Sequence, residues 1–397
     1  MADHGNAMLR GGATTVVVVA VAMFTDSFVY GLLIPLASQT PGAELTGPRV
    51  ALTYSAYALG VLLATLVVAS LTDRVGRRLP FLLGLIFLGA STLLFATANS
   101  LPLLILARIV QGIASTATWT AGLALVADTF TSRRTQMMGL VMMGSSGGSV
   151  LGPLVGGVLA EFGGYHWPFV LAGALLVGDF VLRLTLVRDR ARPTEAPTEP
   201  WTLLRDRGIL SASLVVLLAA GGWSLIEPLL PEHVMQVAGI GPAAVGVMFT
   251  LSTLSNGASA TWIGNLAERI GLWPTMLAGL VVLALALPWL ALPSSIVPIT
   301  AALVVANVAY GLAMNPSLSD LADGVDRRGS SAYGAVYALY NIGFSIGQLG
   351  GNLVGGSLSA TISFLGTLAI TSLVLLACTP LLYVLRLRPV GVKPITD

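Results

Sequence analysis

The stretch that decides the fold reads Gly144-Ser-Ser-Gly-Gly148-Ser-Val-Leu-Gly152-Pro153-Leu-Val-Gly156-Gly157, with glycine at every fourth position from 144 to 156. The same spacing returns 199 positions later (144 to 343), at Gly343, Gly347, Gly351 and Gly355. Glycine at this spacing clears one face of a helix, so that a neighbouring backbone can approach closely, as it does between helices in lipid. Two copies of the pattern predict two similar halves of a membrane protein.

Composition supports this prediction, because 55% of the 397 residues are hydrophobic and 10% are charged, against roughly a quarter charged in soluble domains. The apolar stretches are about 20 residues long, enough to cross a hydrocarbon core of about 30 Å. We predict an all-α membrane protein with twelve transmembrane spans in two pseudo-symmetric six-helix bundles. The predicted spans are 13–36, 49–71, 79–97, 101–126, 136–160, 167–187, 209–231, 241–265, 272–291, 296–320, 330–357 and 363–385.

The positions of the basic residues predict the orientation. Almost all of them lie at the termini or after even-numbered spans, and the alternate loops carry only Arg49. Basic residues are retained on the cytoplasmic side of a membrane. We therefore expect both termini in the cytoplasm. We also expect a multi-pass protein of the cell (inner) membrane that acts as a monomer in the lipid bilayer.

Further repeats support the doubling. The segment from Asp73 to Gly76 is matched by Glu268 to Gly271, 195 positions later (73 to 268). Six spans separate the copies, so both halves enter the membrane in the same direction. We predict an N-terminal bundle over 1–187, a charged, proline-rich cytoplasmic linker over 188–208 and a C-terminal bundle over 209–397.

Several function classes are disfavoured by composition. The net charge of +2 gives no reason to expect a nucleic-acid partner, and the single cysteine, Cys378, excludes an intramolecular disulfide. The three histidines, His4, His166 and His233, lie near chain or span ends. Neither a metal-ligand cluster nor a phosphate loop nor a nucleophile paired with a base is present, so we expect no metal, no cofactor and no enzyme.

Three motifs make the chain resemble the major facilitator superfamily. The superfamily's loop signature Gly-x-x-x-Asp-Arg-x-Gly-Arg-Arg is met from Ala69 to Arg78, with alanine for the first glycine. Its fourth-helix motif is met from Arg108 to Gly112. The fifth-helix motif of its antiporters is met in full by Gly148, Gly152, Pro153, Gly156 and Gly157.

Within the superfamily the chain resembles the drug/proton antiporters, and among these the vesicular amine transporter branch. The resemblance rests on Phe24-Thr-Asp26-Ser, Leu225-Ile-Glu227-Pro228-Leu-Leu-Pro231 and Tyr333-Gly-Ala-Val-Tyr337-Ala. Two features depart from that branch. The second span lacks its lysine, and Asn341 stands where the branch has an acid in the eleventh helix.

Intramembrane charges are functional candidates by default, because a charge near the bilayer centre costs roughly 2.5–3.5 kcal/mol. Asp26, near the middle of the first span, can face the cleft and bind a proton or an organic cation, or can instead make a polar contact to a neighbouring helix. Asp179 has Arg183 four residues on, and an ion pair within one helix explains both residues without a substrate.

Glu227 is followed by Pro228 and Pro231, which free backbone carbonyls and permit the seventh helix to bend. This favours a gate and cation-binding point, and the alternative is an anchor at the outer membrane surface. For Arg108 the resemblance implies a role in proton coupling, whereas donation to backbone carbonyls is the structural alternative.

The resemblance also implies a conformational lock. In it Asp73 joins a charge network that fastens the two bundles in the outward-facing state, together with Arg74, Gly76, Arg77 and Arg78. The alternative for the arginines is a topology signal alone. Gly152 and Pro153, with Gly148, Gly156 and Gly157, are expected to let the fifth helix bend and pack across the interface between the bundles.

Polar and aromatic residues complete a predicted substrate cavity in which rings face a cation or a flat apolar drug. They are Tyr30, Trp119, Trp223, Asn256, Asn307, Tyr310, Asn315, Tyr337, Tyr340 and Asn341.

The function that these residues favour is a proton-coupled antiporter that exports a cationic or amphipathic small molecule, a drug or an amine, by alternating access. An anion carrier is expected to place several basic residues in its cavity, and this chain offers one. The alternative is a proton-coupled symporter or facilitator of a neutral solute such as a sugar. A membrane enzyme or receptor is a third possibility that the motifs do not support.

Overall fold

The computed structural model describes residues 2–36, 45, 47–130, 134–187, 200–327 and 333–387. The N-terminal half contains α1 (Ala2–Leu32), α2 (Gly47–Val75), α3 (Arg78–Thr97), α4 (Leu101–Thr129), α5 (Arg134–Gly163) and α6 (Trp167–Leu186). A short helix, α7 (Pro200–Leu203), comes before the second half. That half contains α8 (Arg207–Ser224), α9 (Ile226–Ala238), α10 (Pro242–Ile270), α11 (Leu272–Ala286), a 3₁₀ turn (Leu287–Leu290), α12 (Ile296–Asp326), α13 (Tyr333–Thr361) and α14 (Phe364–Leu387).

The helices agree with the predicted membrane spans. Within the described ranges, nine helical segments are long and apolar enough to cross a membrane, and the segment Arg207–Ala238 joins α8 and α9 into one span. The other three predicted spans coincide with α2, α10 and α13, each of 29 residues. The all-α fold with two six-helix bundles is confirmed.

Both glycine stripes pack a helix backbone against its neighbour in the same bundle. On α5, Gly148 lies against the backbone of Phe24 and Phe28 of α1. On α13, Gly347 lies against the backbone of Leu217 of α8. A side chain at either glycine would collide with main-chain atoms, so the prediction that the stripes permit close approach is confirmed.

The bundles meet each other through other helix faces. We call the end of the molecule at which α2, α4 and α10 end the basic end, and the end at which they begin the far end. Near the far end, Gly157 of α5 lies against Pro242 of α10, and Gly356 of α13 lies against Ala51 of α2. The two seams between the bundles are therefore α5–α10 and α2–α13.

The expectation for Gly152 is corrected by this packing. Gly152 lies against Gly31 and Leu32 of α1 inside its own bundle, as Gly148 and Gly156 lie against α1. Across the interface, the carbonyl of Pro153 lies against Gly246 of α10. Successive residues of a helix are rotated by about 100° about its axis, so Gly152 and Pro153 pack against different helices.

Two turns repeat between the halves. Gly76 joins α2 to α3 with φ 89°, and Gly271 joins α10 to α11 with φ 94°. Residues with a Cβ rarely adopt these values, whereas glycine does so without steric cost. Each turn lies at the basic end, so the repeated loop signature corresponds to a repeated backbone conformation.

The seventh span is interrupted between α8 and α9. α8 ends at Ser224, Leu225 forms the turn, and α9 begins at Ile226. Pro228 has no N–H to donate to the carbonyl of Ser224, and its ring would clash with that carbonyl in a continuous helix. The break places Glu227 in the first turn of α9.

Candidate functional site

A cavity of about 750 Å³ lies between the two bundles. The predicted cavity residues that line it are Tyr30, Trp223, Asn256, Asn307 and Tyr310, together with Glu227. Contacts between the bundles close it toward the far end. Toward the basic end, Gly139 of α5 and Gly257 and Gly264 of α10 have no neighbouring atom within 4 Å of the position of an added Cβ. Among the described residues, the cavity is therefore not covered between the basic-end halves of these two helices.

Glu227 joins the two bundles through its side chain. Tyr30 of α1 donates its hydroxyl proton to Glu227 Oε2 at 2.5 Å, and Trp223 donates its indole N–H to Oε1 at 3.2 Å. Gln348 of α13 donates to the Tyr30 hydroxyl at 3.3 Å. In the described part of the chain, Glu227 forms no ion pair with a basic side chain. A cavity-lining carboxylate of this kind is available to a cationic ligand or a proton.

Arg108 is buried in an aromatic cage near this carboxylate. Its guanidinium carbon lies 4.1 Å from the ring centre of Tyr54, 5.4 Å from that of Phe95 and 5.6 Å from that of Tyr30. It also donates to Gln111 Oε1 at 3.0 Å. Such contacts stabilise a cation whose side chain is 2% exposed. Tyr30 therefore contacts the arginine through its ring and Glu227 through its hydroxyl.

Asp26 is placed differently from the expectation that it faces the cleft. Its Oδ2 accepts hydrogen bonds from Ser115 Oγ at 2.8 Å and Trp119 Nε1 at 2.9 Å, both on α4. The residue is 5% exposed and is not among those that line the cavity. The sequence places its charge in the membrane, but the side chain turns toward the neighbouring helix, which was the alternative interpretation.

The C-terminal wall of the cavity carries a stacked aromatic pair and two ordered amides. The rings of Trp223 and Tyr310 stack at 5.3 Å with an interplanar angle of 28°. Asn256 donates to the backbone carbonyl and the side-chain oxygen of Asn307, each at 2.8 Å, and Asn307 donates to Ser252 Oγ at 2.8 Å. These bonds satisfy the amide donors inside the bundle.

Other predicted cavity residues lie elsewhere. Trp119 binds Asp26, and Tyr340 packs against the hydrophobic core of the C-terminal bundle. Asn315 and Asn341 are exposed, and none of these four lines the cavity. The side chain of Tyr337 lies outside the described part of the structure. The position of a residue along its helix did not show whether its side chain lies on the face that lines the cavity or on an adjacent face.

The pair Asp179 and Arg183 is a buried structural ion pair, as its spacing predicted. Arg183 Nη2 lies 2.7 Å from Asp179 Oδ2, and both side chains are 0% exposed. Arg183 also donates to the carbonyl of Phe81 at 2.7 Å and to Thr118 Oγ1 at 3.3 Å. The arginine thereby joins α6 to α3 and α4 within one bundle.

At the basic end, the structure describes the side chains of only some residues of the predicted lock. The side chains of Asp73 and Arg74 lie outside the described residues. Arg77 forms an ion pair with Asp128 of α4 at 3.2 Å, and Arg78 donates to the carbonyl of Leu184 of α6 at 3.2 Å. Both contacts lie within the N-terminal bundle. The role of these residues in a lock stays a prediction.

The hydroxyl groups of the cavity wall were not predicted from the sequence. They are Ser27, Ser145, Ser146, Ser149 and Thr253. Ser27 and Ser145 are hydrogen-bonded at 2.7 Å. The three serines of α5 stand between the glycines of the stripe, and this was the signal that could have identified them. Within the described residues, no group of three or more His, Cys, Asp or Glu is placed to hold a metal ion.

Comparison with known proteins gives the following similarities. The sequence model of the Major Facilitator Superfamily matches residues 16–336 and 212–396. The chain is 30% identical over 345 residues to the synaptic vesicular amine transporter of Rattus norvegicus, covering 86% of this chain and 67% of the rat protein. It is 28% identical over 397 residues to the probable vesicular acetylcholine transporter-B of Danio rerio, covering 95% and 80%.

The fold is also found among solved structures. A bacterial homologue of the human lysosomal transporter Spinster, in an inward-facing and unoccupied conformation, superposes with a TM-score of 0.74. It shares 15% sequence identity, and the superposition covers 96% of this chain and 97% of the other.

Proposed function

The chain belongs to the Major Facilitator Superfamily and is a membrane transporter rather than an enzyme; from this premise we propose that it exchanges protons for a cationic or amphipathic organic molecule by alternating access. The observation that carries the proposal is the Glu227 carboxylate. It lines the central cavity without an ion-pair partner among the described residues and binds Tyr30 of the opposite bundle.

The chemistry of exchange follows from competition for one carboxylate. A carboxyl group out of contact with water favours its protonated form, whereas a cation beside it favours its ionised form. Glu227 therefore holds a proton or a cationic cargo, but not both. Release of one on binding of the other couples their movements when the bundles change conformation only while Glu227 holds a proton or a cation.

The cavity wall supports a cargo with an apolar, flat part. The stacked rings of Trp223 and Tyr310 lie on the same wall as Glu227. Ring faces attract cations and accommodate planar apolar groups. The relatives named as amine transporters suggest an organic amine as the natural cargo.

Asp26 and Arg108 have supporting roles in this proposal. Asp26 is a second proton-binding group, separated from the cargo and bound to α4. Arg108 senses the state of Glu227 through Tyr30, because it lies over the Tyr30 ring while the Tyr30 hydroxyl binds the carboxylate.

We also propose that the basic end faces the cytoplasm, with both termini there, and that the protein is a monomer in the cell (inner) membrane. The distribution of basic residues along the sequence supports this orientation. The cavity then opens toward the cytoplasm, where an exporter collects its cargo.

The test is transport in reconstituted vesicles with an imposed pH difference. We expect a fluorescent organic cation to accumulate in the acidic lumen, with protons leaving as the cation enters. Glu227→Gln should abolish gradient-driven accumulation, whereas Glu268→Gln, at an exposed position on α10, should not. Entry of cargo together with protons would instead indicate a symporter, and flux that ignores the gradient would contradict proton coupling.

A further inference from the structure

Two helix N-termini at the far end lie against carboxylates of the opposite bundle. The first is that of α10, which has no side-chain cap of its own at Gly241. Glu161, near the end of α5, accepts a hydrogen bond from the backbone N–H of Ala243 at 2.9 Å. This bond crosses the α5–α10 seam.

The second is that of α2, which begins at Gly47. Glu232 of α9 lies beside this helix end, with its Oε2 3.4 Å from the position that an added Cβ at Gly47 would occupy. The side chain of Glu232 is also held by Gln236, which donates to Oε1 at 3.1 Å. Here the carboxylate belongs to the C-terminal bundle and the helix N-terminus to the N-terminal bundle, which is the reverse of the arrangement at Glu161.

The physical basis is the same at both sites. The first N–H groups of a helix lack partners within the helix and carry a partial positive charge, so a carboxylate there is stabilising. α2 and α10 occupy equivalent positions in the two halves, and each lies in one of the two seams. If the far end opens, both carboxylates lose their partners and both helix ends lose their caps.

We propose that Glu161 and Glu232 form a carboxylate clamp that holds the far end closed and must release before the cavity opens there. The clamp is reciprocal, since each bundle supplies one carboxylate and one helix N-terminus. The proposal rests on the alternating access of the proposed function, because it concerns the step that exposes the cavity at the far end.

The experiment measures the distance across the far end in the full-length protein. In a Cys378→Ser background, spin labels at Ser100→Cys and Ser294→Cys report the separation of the bundles by pulsed electron paramagnetic resonance. Both positions are exposed, one before α4 and one before α12. Each of Glu161→Ala and Glu232→Ala should raise the ratio of far-end-open to closed molecules about fivefold.

Two further variants sharpen the measurement. Glu161→Gln keeps an acceptor oxygen but loses the charge, so we expect a smaller increase than with alanine. Asp206→Asn is the matched control, because Asp206 caps α8 inside its own bundle by accepting from Ile209 at 3.1 Å. It should leave the distances unchanged.

Distances that are the same in the parent, both alanine variants and the control would overturn the clamp, provided that the variants remain monodisperse and bind cargo. Such a result with intact proton-coupled transport would refute the clamp alone. Absence of proton-coupled transport in the parent protein would refute the proposed function instead.

Discussion

The two seams between the bundles contain segments of nearly the same sequence, but they differ in whether their polar side chains are hydrogen-bonded. In Gly152-Pro153-Leu-Val-Gly156-Gly157, Pro153 and Gly157 contact α10 at the α5–α10 seam. In Gly351-Asn352-Leu-Val-Gly355-Gly356, Gly356 contacts α2 at the α2–α13 seam. In the first, Thr250 of α10 donates to the carbonyl of Val150 at 2.8 Å. In the second, Asn352 is 0% exposed and neither of its amide atoms has a partner in the described structure.

This difference indicates which seam is the weaker one. A buried polar group without a partner costs roughly 1–3 kcal/mol relative to one that is hydrogen-bonded. The side-chain oxygen of Gln348, one turn before Asn352, is also without a partner. The sequence repeat thus reproduces the packing of each glycine against the neighbouring helix. Asn352 stands where the first copy has Pro153, and this difference makes the α2–α13 seam easier to separate.

The largest effect should come from filling the tighter seam. At Gly157 an added side chain meets the backbone carbonyl of Pro242, whereas at Gly356 it meets the methyl group of Ala51. Overpacking typically costs about 1–3 kcal/mol and occasionally more, and we expect the upper end of this range where the neighbour is a backbone carbonyl that cannot rotate away. Gly157→Leu should therefore separate the spin labels at 100 and 294 in most molecules, and Gly356→Leu should do so less. Equal effects would show that the seams do not differ in this respect.

Replacing Asn352, whose amide has no partner among the described residues, should have an intermediate effect and should lower the proportion of far-end-open molecules. Asn352→Leu removes the buried polar atoms and should stabilise the closed far end by about 1–3 kcal/mol, which raises the ratio of closed to open molecules roughly 5- to 150-fold. We expect shorter label distances and slower cargo turnover. Asn265→Leu, at an exposed position on α10, is the control. If Asn352→Leu instead opened the far end, the amide would be stabilising the closed state.

The smallest effect should come from removing the hydrogen bond of the satisfied seam. Thr250→Val keeps the shape of the side chain but leaves the carbonyl of Val150 without this donor. A loss of about 1 kcal/mol is expected, which is roughly a fivefold increase in far-end-open molecules by the same distance measurement. No change would mean that water replaces the threonine without cost.

The sequence predicted what depends on local spacing. The glycine stripes, the helical spans, the bend beside Pro228 and the Asp179–Arg183 pair all follow from periodicity or from the chemistry of one residue. Spacing shows which residues share a helix face, but not which neighbour covers that face. For this reason the sequence predicts the wrong partner for Gly152 and leaves open whether Asp26 faces the cleft or a neighbouring helix.

The candidate site depends on contacts between distant parts of the chain. Tyr30 and Glu227 are separated by 197 positions, and no local pattern specifies that they meet. The aromatic cage of Arg108 and the unsatisfied Asn352 likewise arise from how helices face each other. Charge within a predicted span identified Glu227 and Arg108 as candidates, but only the packing of the bundles connects them through Tyr30.

The central claim is that Glu227 exchanges a proton for a cation, and proton release on binding tests it most directly. Purified protein in weakly buffered detergent solution, with Glu227 protonated, is mixed with an organic cation that it binds, and the pH change is recorded. We predict about one proton released per bound cation in the unmodified protein and none in Glu227→Gln. Cation binding without proton release in the unmodified protein, or equal release from both, would contradict the account.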